Sequence, residues 1–311
     1  MDLIRASLKS PIEGEEFQKM KPLIVGIGEL LWDMLPEGKE MGGAPANFAY
    51  HACSLGGEGA VVSSIGADDY GRQILDRLGA LSLSREYISI DRTHPTGTVE
   101  VTVDARGKPS YIIRENVAWD FIPNTPQLME LAKKADAVCF GTLAQRSAVS
   151  RATIQAFLKR TPQKALRIFD INLRQSFYSK ELIESSLDLA NVLKLNDEEL
   201  AVIASLLSLS GDESTLLAEI AGKHRLYMVA LTRGDKGSIL YSDGQISIHP
   251  GYKVEVVDTV GAGDAFTASL ALSVLSGQDL DAINDHANRV AAFVCSKHGA
   301  TPQLPDELRV I

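Results

Sequence analysis

The run Asp258-Thr259-Val260-Gly261-Ala262-Gly263-Asp264-Ala265-Phe266 puts an acidic side chain behind two glycines and ahead of a helix-periodic apolar stretch. Phe266, Leu270 and Val274 share one face of that stretch, which reads as a helix from Asp264 to Leu275. Glycines let a backbone approach a ligand closely, and the N–H groups at a helix start form an anion pocket. A carboxylate at the mouth of such a pocket suits a general base beside a transferring phosphoryl group. An aspartate that merely caps a helix behind a glycine turn has the same sequence, and this motif alone favours the cap.

A second motif changes that balance. Gly42-Gly43-Ala44-Pro45-Ala46-Asn47 also places glycines before a helix, with an amide in its first turn. An Asn amide offers a donor and an acceptor, which suits a sugar hydroxyl. Asp33, after the first strand, can accept hydrogen bonds from two adjacent hydroxyls. Ligands of open α/β sheets collect at the carboxyl ends of the strands, where Asp33 and Asn172 are expected.

The elements that must position these residues alternate between strand and helix. Strands are expected at Leu23–Gly28, Ala60–Ile65, Ala137–Phe140, Arg167–Ile171, Val192–Leu195, Tyr227–Leu231 and Val254–Val257. Helices are expected at Pro45–Leu55, Asp68–Leu78 and Asp197–Leu206, the first stopped by Gly56-Gly57. Buried strands spaced by helices argue a parallel sheet covered on both faces. Thr96–Val103 alternates and turns through Asp104–Pro109 into Tyr111–Arg114, a hairpin outside that rhythm. With a further strand between Met34 and Met41, it reads as a small antiparallel lid built from residues 34–42 and 94–117. No linker or repeat divides residues 21–311, which read as one domain. Residues 1–20 read as a peripheral extension, and Met20 can itself be a translation start.

The 311-residue chain carries a formal net charge of −9, with 45% hydrophobic and 23% charged residues. That is an ordinary globular composition, long enough to bury about three quarters of its extended surface. A general nucleic-acid binder wants a basic face, so nucleic acid is not an expected partner. No apolar run reaches the roughly 18 residues of a membrane span, so no membrane partner is expected. Cys53, Cys139 and Cys295 lie far apart without a C-x-x-C pair, which suits a reducing cytoplasm.

From about Lys21 onward the chain resembles the PfkB (ribokinase-like) carbohydrate kinases. The Gly42–Ala49 and Asp258–Phe266 runs match the two family signatures in order and separation. Gly28–Lys39, His94–Val99 and Asn116–Asp120 are most similar to bacterial fructokinases. The resemblance implies a three-layer α/β/α sandwich, with a mostly parallel central sheet and a small antiparallel β lid. It implies ATP-dependent phosphorylation of a sugar primary hydroxyl. Asp264 would be the base, and Gly261, Ala262 and Gly263 the anion hole. Asp33, Gly42, Gly43 and Asn47 would hold the sugar. Asp170-Ile171-Asn172-Leu173-Arg174 would put Asn172 and Arg174 near the phosphoryl path. Asn196 and Glu199, from Asn196-Asp197-Glu198-Glu199, would organise magnesium and phosphate through water. Thr232, Arg233, Gly234 and Gly237 would lie along the nucleotide, and Asn288 would contact adenosine. A potassium ion would be held largely by main-chain oxygens at Asp258, Val260, Val294, Lys297, Gly299 and Gln303.

Each role has a plainer counterpart. Asn196 can simply cap a helix, Thr232–Gly237 can be an ordinary turn, and Arg174 can be a solvated surface charge. Other family substrates, such as 2-keto-3-deoxygluconate, ribose or a nucleoside, stay open, as does a sensing protein without turnover, although Asp264 speaks against the latter. No G-x-x-x-x-G-K-[ST] phosphate loop occurs, and no lysine stands where kinases commonly carry one. A Rossmann dehydrogenase is excluded because Gly26-Ile27-Gly28 is followed by Leu31 where its third glycine belongs. Val99, Val101, Val103 and Ile113 would leave an open apolar lid face, and ribokinase-like relatives often pair such lids, so a homodimer is expected.

Overall fold

A computed structural model describes residues 21–310 apart from Glu37 and residues 104–108. The N-terminal extension and most of the lid hairpin's turn therefore lie outside the described residues.

Nine strands form the large sheet. They are β1 (Leu23–Ile27), β4 (Glu58–Gly66), β5 (Ile88–Asp91), β8 (Ala137–Phe140), β9 (Leu166–Asp170), β10 (Val192–Asn196), β11 (Met228–Thr232), β12 (Ser238–Ser242) and β13 (Gln245–His249). Their order is β13-β12-β11-β10-β9-β8-β1-β4-β5. Neighbours from β5 to β11 run parallel, and β12 and β13 close the sheet as an antiparallel hairpin. Side chains alternate across the sheet, so Val25 and Ile27 enter one core and Ile24 the other.

The first core is covered by α3 (Pro126–Ala132), α4 (Ala148–Arg160), α5 (Lys180–Leu189), α6 (Asp197–Leu207) and α7 (Glu213–His224). The opposite core is covered by α1 (Ala44–Ser54), α8 (Ala262–Leu275) and α9 (Leu280–Cys295). These three layers, with the smaller sheet beside them, give the expected α/β/α sandwich.

The smaller sheet, in the order β3-β2-β6-β7, comprises β2 (Leu31–Leu35), β3 (Gly38–Gly42), β6 (Gly97–Val103) and β7 (Pro109–Ile113). Its outer pairs are antiparallel and its central pair, β2 with β6, is parallel. A third cluster under it joins Leu30 and Trp32 to Ile74 and Leu78 of α2 (Asp69–Ala80).

Four expectations need correction. Val254–Val257 is not a strand: Val254, Val256 and Val257 are exposed, and the Val257 N–H bonds to the Cys295 carbonyl 2.8 Å away rather than to a strand. Asp33 stands inside β2, opposite Glu40 and Val99, not at the end of a large-sheet strand. Helix α8 begins at Ala262 with Gly261 as its N-cap, so Asp264 is third in the helix and no cap. Val99 and Ile113 are buried in a core shared with Val117 and Trp119, so the chain itself covers that part of the lid face.

Candidate active site

Helices α1 and α8 begin with glycine. Gly43 caps α1 at φ 121° and Gly261 caps α8 at φ 77°, and neither has a side chain to occupy the first turn. The first N–H groups of a helix have no partner within it, so both starts present donors outward. The fold also needs these glycines for closeness. A β-carbon on Gly42 would overlap the Asp33 carboxylate, and one on Gly261 would fall 2.5 Å from the Ala300 carbonyl oxygen.

The two starts meet at a hydrogen bond. Asn47 Nδ2 donates to Asp264 Oδ2 over 2.8 Å, although the residues are 217 positions apart. Asn47 Oδ1 is buried and has no partner, which leaves an acceptor for an incoming hydroxyl. Burial pushes the Asp264 carboxyl up to about 7; Asp170 and Glu29 add to this, while Asn47 and Lys194 oppose it. A carboxyl so poised can hold and release a proton near neutral pH. Burial likewise raises Asp33 to about 6, against the Arg174 charge and with help from Glu40. Arg174 is itself exposed, yet its field reaches both Asp33 and Glu29.

Beneath α8 lies a lysine that motif reading missed. Lys194, on β10, is buried and donates to Asp170 Oδ1 over 3.1 Å. Its Nζ is 3.2 Å from where a β-carbon on Gly263 would stand, directly under the expected anion hole. Burial pulls its pKa down, but Asp170, Glu199 and Asp264 outweigh that and hold it above the ordinary ammonium value. Thr267 Oγ1 completes the cluster, donating to Asp170 Oδ2 over 3.1 Å. The signal was a single charge inside the apolar run Val192-Leu193-Lys194-Leu195. Glu29 is a second omission: it is buried and lines a small cavity with Thr142, Asp170 and Asn172.

Other expected residues are placed less directly. Asn172 follows β9 at φ 46°, half-buried beside that cavity. Asn196 caps α6: its side chain accepts from the Glu199 N–H at 2.8 Å, and Glu199 Oε2 accepts from the Asn196 N–H at 2.9 Å. Glu199 Oε1 accepts from the Leu173 N–H at 2.9 Å, which ties down the turn that carries Asn172 and Arg174. Each oxygen keeps a second lone pair, so the carboxylate can still meet a magnesium-bound water. Thr232 ends β11 and Gly234–Lys236 form a tight turn into β12. Arg233 is paired with Glu213 at 3.3 Å, while Gly234 faces open space. Asn288 is buried, with Nδ2 donating to Ser238 Oγ over 2.6 Å and to Asn284, so its amide is committed within the fold.

The residues expected around a potassium ion come from two segments that the structure joins. Asp258 accepts from the Val260 N–H and from the Gly299 N–H, each at 3.0 Å. Val294 and Lys297 lie at and just beyond the end of α9, and Gln303 follows in the chain. Main-chain oxygens on such paired loops have the chemistry that suits an alkali cation. Among the described residues, no group of three His, Cys, Asp or Glu side chains is placed to hold a metal ion. No described helix is long and apolar enough to cross a membrane.

The same fold occurs in proteins already known. The chain is 31% identical over 308 residues to an uncharacterized sugar kinase of Pyrococcus horikoshii, covering 92% of this chain and 95% of that one. The crystal structure of that kinase matches with a TM-score of 0.78, covering 90% of this chain and 93% of that one, and it has also been crystallised with ATP. Fructokinase-1 of Oryza sativa is 29% identical over 317 residues, covering 93% of this chain and 96% of that one. The structure of a fructokinase from Xylella fastidiosa with bound ATP matches with a TM-score of 0.79 at 23% identity, covering 91% and 95%, which shows a common fold. The model of the pfkB family carbohydrate kinases matches residues 37–307, and with two glycine-capped helices converging on one half-buried aspartate, the chain belongs to that family.

Proposed function

We propose that this protein transfers the γ-phosphoryl group of ATP to a primary hydroxyl of a small sugar, with fructose the first candidate. The observation that carries this reading is the Asn47–Asp264 contact, which sets a proton acceptor between a hydroxyl site and an unfilled helix start. In this reading Asp33 and Asn47 Oδ1 hold the sugar hydroxyls, with Gly42 and Gly43 letting the backbone come close. Asp264 takes the proton of the attacking hydroxyl as its oxygen bonds to the γ-phosphorus, the bond to the β-phosphate oxygen breaks, and ADP leaves with those electrons. The N–H groups of Gly261–Gly263 and the Lys194 charge below them stabilise the transferring group. Arg174 and Asn172 stand beside its path. Asn196 and Glu199 would meet the magnesium carried with ATP through water, and that ion would add charge neutralisation. Thr232, Gly234 and the neighbouring turn follow the nucleotide, with Asn288 shaping the purine end from within the fold. Potassium on the Asp258 and Gly299 loops would steady the anion hole.

The small sheet acts as a lid that excludes water. A homodimer through it would use the free edges of β3 and β7, and sedimentation at micromolar concentration showing monomer alone refutes it. Three unpaired cysteines suit a reducing cytoplasm. The reading is tested by following ADP release over a panel of sugars and nucleosides. Fructose is expected to give the highest kcat/KM. A tenfold preference for 2-keto-3-deoxygluconate or ribose, about 1.4 kcal/mol of transition-state stabilisation, replaces fructose and leaves the kinase reading intact.

A further inference from the structure

Helix α1 does more than carry Asn47. Tyr50 and His51 lie three and four residues further on, on the same side of the helix. Both reach the C-terminal segment: the Tyr50 hydroxyl donates to the Pro302 carbonyl over 3.2 Å, and His51 Nε2 lies 2.9 Å from the Ala300 carbonyl oxygen. A carbonyl only accepts, so His51 carries its proton on Nε2. Its Nδ1 is buried without a partner. Burial holds the ring's pKa down at about 4, against the Ala300 bond, so the ring is neutral.

The segment that His51 grips is the one that supports the anion hole. A β-carbon on Gly261 would meet Ala300 at its carbonyl oxygen, Cα and Cβ, at 2.5, 2.7 and 2.8 Å. Ala300 therefore lies against the bare α-carbon that starts α8. One residue earlier, Gly299 is tied through Asp258 to Val260. A continuous path runs from Asn47 along α1 to His51, then to Ala300, then to Gly261 and the first turn of α8.

We propose that His51 is a positioning residue, whose hydrogen bond to Ala300 locks the sugar-holding helix and the anion hole into one rigid unit. This rests on the kinase reading above. The ground-state sugar is held by α1 and β2, whereas the anion hole acts on charge that develops during transfer. Loosening the staple should therefore slow turnover more than it weakens sugar binding.

The test compares His51→Leu, which removes the donor, with His51→Gln, which restores an N–H of similar reach, by steady-state kinetics on the full chain. His51→Leu is expected to lower kcat about 10- to 100-fold, the cost of displacing a reacting group by about 1 Å, with sugar KM changed less than about threefold. His51→Gln is expected to recover most of that loss. Equal impairment of the two variants, or unchanged kcat in His51→Leu, overturns the proposal. Should His51→Leu fail to fold, Tyr50→Phe loosens the same segment at Pro302. It is expected to lower kcat with unchanged sugar KM, and an unchanged kcat there overturns the staple. Wild-type protein that releases no ADP with any sugar refutes the kinase reading itself, whereas active wild type with indifferent variants refutes the staple alone.

Discussion

Helices α6 and α8 both begin beside β10, and their first turns are opposites. At α6 the Asn196 side chain and the Glu199 carboxylate satisfy each other's backbone N–H groups. At α8 the cap is Gly261, with no side chain, and the acid in the first turn is held by Asn47 of another helix. Among the described helices, α2, α3, α5, α6, α7 and α9 all have a side chain accepting from the first turn. The two glycine-capped helices, α1 and α8, are the two that meet at Asp264. A satisfied cap makes a helix stable by itself, whereas an empty one leaves donors and charge preference for something that arrives.

Replacing the acid of the open turn should have the largest effect. Asp264→Asn keeps the volume and an acceptor for Asn47 but cannot take a proton, so kcat should fall by about 10²–10⁴-fold. Because burial raises the Asp264 pKa in the folded chain, its protonated form favours folding, and that stabilisation is lost as pH rises through about 7. The variant, which never ionises, should therefore melt no lower than wild type at pH 8. Melting curves and turnover measured together check both halves, and retained turnover would make Asp264 a structural residue.

Next comes the glycine itself. Gly261→Ala puts a methyl group against Ala300 at a positive φ, and the displaced first turn should cost about 10²-fold in kcat. A smaller effect is expected at Lys194, which opposes the upward shift of Asp264. Wild-type kcat/KM should rise with pH through about 7 as Asp264 loses its proton. In Lys194→Met that limb should move to higher pH, because the Asp264 carboxylate loses its nearby positive charge. A limb that stays in place would show that Lys194 only supports packing. The smallest catalytic effect belongs to the closed turn. Asn196→Ala should lower stability by about 1 kcal/mol, the usual worth of an N-cap, and lower kcat less than any substitution at the open turn. A kcat loss as large as that of Asp264→Asn would erase the contrast between the two helices.

Much of this was legible in one dimension. Strand and helix alternation follows from apolar spacing, and the strands at Ala137–Phe140 and Val192–Asn196 fall where the pattern puts them. The glycine runs before α1 and α8 mark open helix starts because a missing side chain is a local property. Three things were not legible. Val254–Val257 has the composition of a strand, but the Val257 N–H bonds to the Cys295 carbonyl at the end of α9 rather than to a strand. Asp264 reads as a cap, yet the left-handed backbone at Gly261 starts the helix two residues earlier and turns the carboxylate toward α1. Val99 and Ile113 read as an open face until the Val117–Trp119 segment closes over them.

The sequence by itself determined the layers, the glycine-capped helices and the presence of an acid in the right turn. These rest on periods of two and about 3.6 residues and on backbone freedom, all of which act over a few positions. Tertiary structure alone decided that Lys194 and Asp170, 24 positions apart on neighbouring strands, would form a buried ion pair under α8. It alone decided that Asn47 would reach Asp264 across 217 positions. The raised pKa of Asp264 is likewise a tertiary product, burial first and the Asp170 charge next, with Asn47 and Lys194 opposing, because a pKa responds to burial and to charges nearby in space, whatever their distance along the chain.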